Sequence, residues 1–127
     1  MSIFNNIFGN ESKSKDPNIA WKYITNENQL DDLIENSNEK PALIFKHSTR
    51  CSISKMALRN FEREYDLSDK VTPYFLDLLS NRDISDEIAR RFNVVHHSPQ
   101  LLVIKNGKSI YDVSHDGIDV GRLKNQL

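Results

Sequence analysis

The chain has 127 residues, enough for one domain with a modest core, and its formal charge of −1 provides no basic field to recruit nucleic acid or an anionic membrane. A single cysteine excludes an internal disulfide framework, and no apolar run reaches the roughly 18 residues of a spanning helix. Residues 1–10 hold no Lys or Arg and no long apolar stretch, so they do not read as a secretory leader; with its lone thiol the chain is expected in the cytoplasm.

Residues 1–17 mix Asn, Ser, Lys and Gly with Ile3, Phe4, Ile7 and Phe8, which share one side of a short amphipathic helix. The segment reads either as a tail or as a docking or dimerising patch, and the domain proper as residues 18–127. Residues 21–24 have strand character. Asn26 as N-cap with Gln29 three positions on then precedes Leu30, Leu33 and Ile34 at helical spacing, and the helix ends within residues 37–40. Residues 41–46 form an unbroken run of strand length, the pattern of a strand covered on both faces. Next, Ile53, Met56, Ala57, Phe61 and Tyr65 recur at spacings of three and four, with Lys55, Arg59, Glu62 and Arg63 on the other side. This is an amphipathic helix beginning near Cys51.

Residues 71–76 read as another strand, where Pro73 predicts an edge or a strand start. Ile84, Ile88, Ala89 and Phe92 mark a short helix with Asp83 as its cap. Residues 100–105 and 108–113 flank Asn106-Gly107, a dipeptide that takes positive φ at both central positions cheaply, so they form a β-hairpin. Residues 118–127 suit a final helix. The order β-α-β-α-β-α-β-β-α implies an α/β fold: a parallel sheet with helices on both faces, made a mixed four- to five-stranded sheet by its closing hairpin. It is the order of thioredoxin-like proteins.

Cys51 follows the strand 41–46 after a short loop and opens the next helix. The first N–H groups of a helix lack internal partners and favour an anion, here a thiolate, by roughly 0.3–1 kcal/mol. Lys46, His47 and Arg50 add positive charge where they face the sulfur. An isolated cysteine is also often a small buried hydrophobe, but Thr49, Arg50, Ser52 and Ser54 are polar and predict a wet loop. Cys51-Ser52-Ile53-Ser54 has the spacing of a Cys-x-x-Cys motif with serine last. Ser54 either bonds the sulfur or satisfies backbone in the first turn; in both cases Cys51 has no internal resolving thiol and must exchange with an external one. The four histidines and the cysteine match no standard zinc spacing, so no metal is expected, although His47 or His97 can shape the field at the thiol.

The stretch Phe45-Lys46-His47-Ser48-Thr49-Arg50-Cys51-Ser52-Ile53-Ser54, with His97-Ser98-Pro99-Gln100 and the later Ile104-Lys105-Asn106-Gly107-Lys108 turn, resembles the monothiol bacilliredoxin family over residues 21–127. These are thioredoxin-like proteins of the bacillithiol system. The family commonly has proline after the cysteine, where this chain has Ser52. The resemblance implies that Cys51 removes bacillithiol from bacillithiolated client proteins, with bacillithiol as co-substrate and no other cofactor. Free bacillithiol or another bacilliredoxin would then restore the thiol. It also implies that the Ser98-Pro99 bond is cis, with Pro99 lying against the thiol where backbone binds substrate. The malate carboxylates of bacillithiol would suit Lys46, Arg50 and the open helix end. Two other readings are a thioredoxin-like interaction module with an inert Cys51 and a glutaredoxin-like iron–sulfur carrier. The Cys-Gly-Phe-Ser signature of the second is missing.

Overall fold

A computed structural model of the chain describes residues 19–127. The expected tail or amphipathic helix of residues 1–17 lies outside the described residues. The elements are β1 (Lys22–Tyr23), α1 (Asn28–Asn36), β2 (Ala42–His47), α2 (Ser52–Glu64), β3 (Thr72–Asp77), α3 (Arg82–Phe92), β4 (Gln100–Lys105), β5 (Lys108–Ser114) and α4 (Val120–Lys124). A short 3₁₀ turn, His115–Gly117, joins the last two. The described strands form one sheet in the order β1-β3-β2-β4-β5. β1 and β2 run parallel to β3, while β4 runs antiparallel to both β2 and β5, so the sheet is mixed.

β2 is the centre, and all six of its residues are buried. Strand alternation sends Ala42 and Ile44 to one face, where they meet Leu30 and Leu33 of α1 and Ile84, Ile88 and Phe92 of α3. Leu43 and Phe45 go to the other face, against Phe61 of α2 and Val120 and Leu123 of α4. An apolar side chain sealed there contributes about 1.5–3 kcal/mol, which is why unbroken apolar runs occupy β2 and its neighbour β4, both covered on two sides.

Pro73 belongs to β3, an interior strand, yet its position agrees with a strand start. The Thr72 N–H donates to Pro41 O on the β2 side at 2.9 Å, so the Pro73 nitrogen faces the other way, towards β1. Pairing with β1 begins only at Tyr74, and no ladder bond is lost. The Asn26–Gln29 capping box forms: the Gln29 N–H donates to Asn26 Oδ1 at 3.2 Å and the Asn26 N–H to Gln29 Oε1 at 3.0 Å. Regular helix begins two residues later, at Asn28.

Several expectations are corrected. Asn81, not Asp83, caps α3; Asp83 stands inside the first turn, where its Oδ1 accepts the Ile84 N–H at 3.0 Å. The final helix is only Val120–Lys124, started by Asp119, whose carboxylate accepts the Arg122 N–H at 2.9 Å. Ile53 and Met56 leave the apolar face of α2 and are 58% and 61% exposed. Opposite them stands the 3₁₀ turn rather than the sheet. The gap is an open cleft of about 220 Å³ that His115, Asp116 and Ile118 line from the other side.

Candidate active site

The site is set where β2 stops. The Leu78 N–H donates to His47 O at 2.9 Å, the last tie to the β3 edge, and the chain leaves the sheet through Ser48, Thr49 and Arg50. The Cys51 N–H closes this turn onto Ser48 O at 3.2 Å, and Cys51 O receives the Lys55 N–H at 3.0 Å as the first bond of α2. Cys51 is therefore the N-cap residue itself, extended at φ −103° and ψ 121°, with no side-chain capping bond. Its thiol stands next to helix N–H groups that lack internal acceptors, and it is partly exposed rather than packed in either core cluster. Among the described residues no group of three or more His, Cys, Asp or Glu gathers to hold a metal.

Ser54 resolves the choice left open by the sequence. It is fully buried, its Oγ accepts the Ser48 N–H at 3.0 Å and lies 2.8 Å from His47 Nδ1. Burial pushes the His47 pKa down, so the ring is neutral at pH 7 and shares one hydrogen bond with the Ser54 hydroxyl through Nδ1. The serine in the resolving position thus braces the turn under the thiol. His47 also packs on the aromatic rings of Phe45 and Phe75, at centroid distances of 6.4 and 5.5 Å. Thr49, Arg50 and Ser52 are exposed around the cysteine, with Ser52 as the first helical residue.

Antiparallel pairing of Lys46 with Gln100 carries Pro99 to the sheet end at which the Cys51 loop emerges. The Ser98-Pro99 bond is cis, as the resemblance implies, and Pro99 is buried. Pro99 O accepts the N–H of His115 at 3.1 Å, and the His97 and His115 rings meet edge to face at 5.7 Å. Ser98 Oγ is buried with no partner among the described residues.

Lys46 is a correction. Expected beside the sulfur, it lies on the opposite sheet face from His47 and is fully buried. Its Nζ is 2.8 Å from His96 Nδ1 and donates to Gln100 Oε1 at 3.0 Å. Three residues were missed by sequence reasoning: His96 and Gln100, which hold this lysine, and His115, which ties the 3₁₀ turn to Pro99. The signal for the first two was present, because Lys46 continues the inward series Ala42, Ile44 and a buried lysine requires partners. No local signal marks His115, whose role comes from φ +53° and a contact across the sheet end.

Comparison with known proteins agrees with this geometry. A family model described as "Monothiol bacilliredoxin BrxC" matches residues 22–123. A solved structure described as a putative oxidoreductase with a thioredoxin fold is 32% identical, with a TM-score of 0.72, covering 82% of this chain and 90% of its own. Thioredoxin from Malassezia sympodialis aligns at 23% identity and a TM-score of 0.66, over 86% of this chain and 89% of its own. Mitochondrial thioredoxin 3 from Saccharomyces cerevisiae aligns at 19% and 0.64, over 83% and 91%. The last two establish the fold, and family and oxidoreductase neighbour together support thiol-oxidoreductase chemistry. With its one thiol at the N-cap of α2 and a buried serine where a dithiol enzyme keeps its second cysteine, the chain belongs to the monothiol bacilliredoxin family.

Proposed function

We propose that the protein removes bacillithiol from protein mixed disulfides through Cys51. The observation that carries this reading is a partly exposed N-cap thiol in a monothiol bacilliredoxin whose position 54 is a serine already committed to His47 and Ser48. The Cys51 thiolate attacks the bacillithiol sulfur of the client disulfide. A new sulfur–sulfur bond forms to Cys51, the old one breaks, and the client thiolate leaves and takes a proton from solvent. Cys51 now carries bacillithiol. A second thiolate, from free bacillithiol or another bacilliredoxin, attacks that bacillithiol sulfur and releases Cys51 reduced, so the oxidising equivalent passes to an external disulfide.

Arg50, exposed next to the cysteine, suits the malate carboxylates of bacillithiol, as do the free N–H groups of the α2 start. Pro99 and its neighbours offer backbone to an extended client segment. Bacillithiol is co-substrate, and the chemistry requires no metal or organic cofactor. The protein acts in the cytoplasm, where bacillithiol is kept reduced.

Incubating the protein with a bacillithiolated single-cysteine protein and weighing the intact products tests the reading. Wild type gains one bacillithiol mass and the client loses it, while Cys51→Ala gains none. Equal transfer by the alanine variant would overturn the proposal.

A further inference from the structure

Lys46 is the most deeply buried charged group among the described residues, and the attack mechanism makes no use of it. Its surroundings form one connected set. The ammonium donates to Gln100 Oε1 at 3.0 Å and lies 2.8 Å from His96 Nδ1. Gln100, itself fully buried, donates from Nε2 to Val95 O at 2.9 Å, and its Oε1 also receives the His97 N–H at 3.4 Å. Ser85 Oγ of α3 stands 3.2 Å from the same His96 nitrogen. Three consecutive residues, 95, 96 and 97, are thus tied to one lysine, directly or through one glutamine, and residues 98 and 99 follow at once. Val95, His96 and His97 are otherwise exposed, and outside this set the contact that holds them is the His97 ring against His115.

We propose that Lys46 is a positioning residue: its buried ammonium clamps residues 95–97 and so sets where Pro99 stands at the mouth of the Cys51 site. This inference rests on the reading in which Pro99 engages the client. Alternative explanations of the lysine fit less well. A buried ammonium costs desolvation that an aliphatic side chain would not, so packing alone does not account for it. It faces away from His47 and hence does not act as the charge beside the thiol.

The clamp also has a direction in pH. Lys46 and His96 are 2.8 Å apart and cannot both be cationic while hydrogen-bonded, so the closed arrangement holds a neutral His96 that accepts at Nδ1. Burial and the Lys46 charge hold the His96 pKa below the ordinary histidine range, as do His97 and Arg82, with Asp86 of α3 opposing them. Asp86 likewise supports the charge on Lys46 against burial. Protonating His96, whose ring is open to solvent, severs the contact.

Amide hydrogen exchange and kinetics on Lys46→Met, which removes the ammonium at similar volume, test the inference. The His97 amide, the one N–H of residues 95–98 with an acceptor among the described residues, should lose protection by about tenfold while α1 and α2 keep theirs, and the melting temperature should hold or rise. Alkylation of Cys51 by iodoacetamide should be unchanged, whereas KM for the bacillithiolated single-cysteine protein should rise about tenfold with kcat nearly constant. In wild type the His97 amide should lose protection on acidification, and His96→Asn, whose Oδ1 replaces Nδ1 as acceptor without titrating, should remove that pH dependence. Unchanged protection in Lys46→Met would overturn the clamp, and lost protection with unchanged KM would overturn its link to client binding. Failure of wild type to release bacillithiol would instead sink the proposed function, and the exchange data would still decide the clamp.

Discussion

Ser54 and Tyr65 show how differently two buried hydroxyls stand in one molecule. Ser54 serves the Ser48 N–H and His47 Nδ1 together, so Ser54→Ala leaves a partly buried N–H and a buried ring nitrogen unmet. The substitution should cost about 1–3 kcal/mol in urea unfolding; an unmoved midpoint would contradict the bracing role. Tyr65 Oη is buried with no partner among the described residues, and burial pushes its pKa up to about 12. Tyr65→Phe should therefore unfold at higher denaturant, by about 1 kcal/mol, because it removes an uncompensated polar atom. At this scale the sequence located the cysteine, the missing second thiol and the proline, since each is visible in a short motif. It misplaced Lys46, because strand alternation, not proximity in sequence, decides which face a side chain takes.

Elements whose geometry is written in two or three adjacent residues were legible. Asn106 and Gly107 adopt φ +52° and +76°, as a two-residue turn requires, and the turn docks on the end of α1 through Asn106 N–H to Ser37 O at 3.0 Å and Gly107 N–H to Ser37 Oγ at 2.9 Å. An added methyl on Gly107 would sit 3.4 Å from Ile34 Cγ2 and also strain the left-handed backbone. Gly107→Ala should lower stability by about 1–2 kcal/mol, read from the thermal or urea midpoint, and a neutral outcome would contradict the strain. Less legible were the α3 cap, the length of α4 and the outward turn of Ile53 and Met56. Each depends on what stands across from the element. The period of α2 marks an apolar face along its whole length, but the sheet covers only its later turns, and the first faces the 3₁₀ turn across an open cleft.

Across the whole molecule, burial couples protonation to folding. The pKa values of His47 and His96 are both held below the ordinary 6.5, so between that value and their folded-state values the unfolded chain binds more protons. Stability should then be fully present above about pH 6.5 and fall as acid passes through the lowered values, a slope that urea titrations at a series of pH values would reveal. Lys46 acts at the other end: with its pKa lowered from 10.5 to about 8, it lets stability rise with pH over that interval. Family and fold together make the thiol the centre of any account of function, and the decisive quantity is stoichiometry. A bacillithiolated single-cysteine protein, mixed in excess with reduced protein and no other thiol, should release one equivalent of client thiol per Cys51 and then stop, with an equal amount of bacillithiol on Cys51. Continued release without added thiol, or the same burst from Cys51→Ala, would contradict the account.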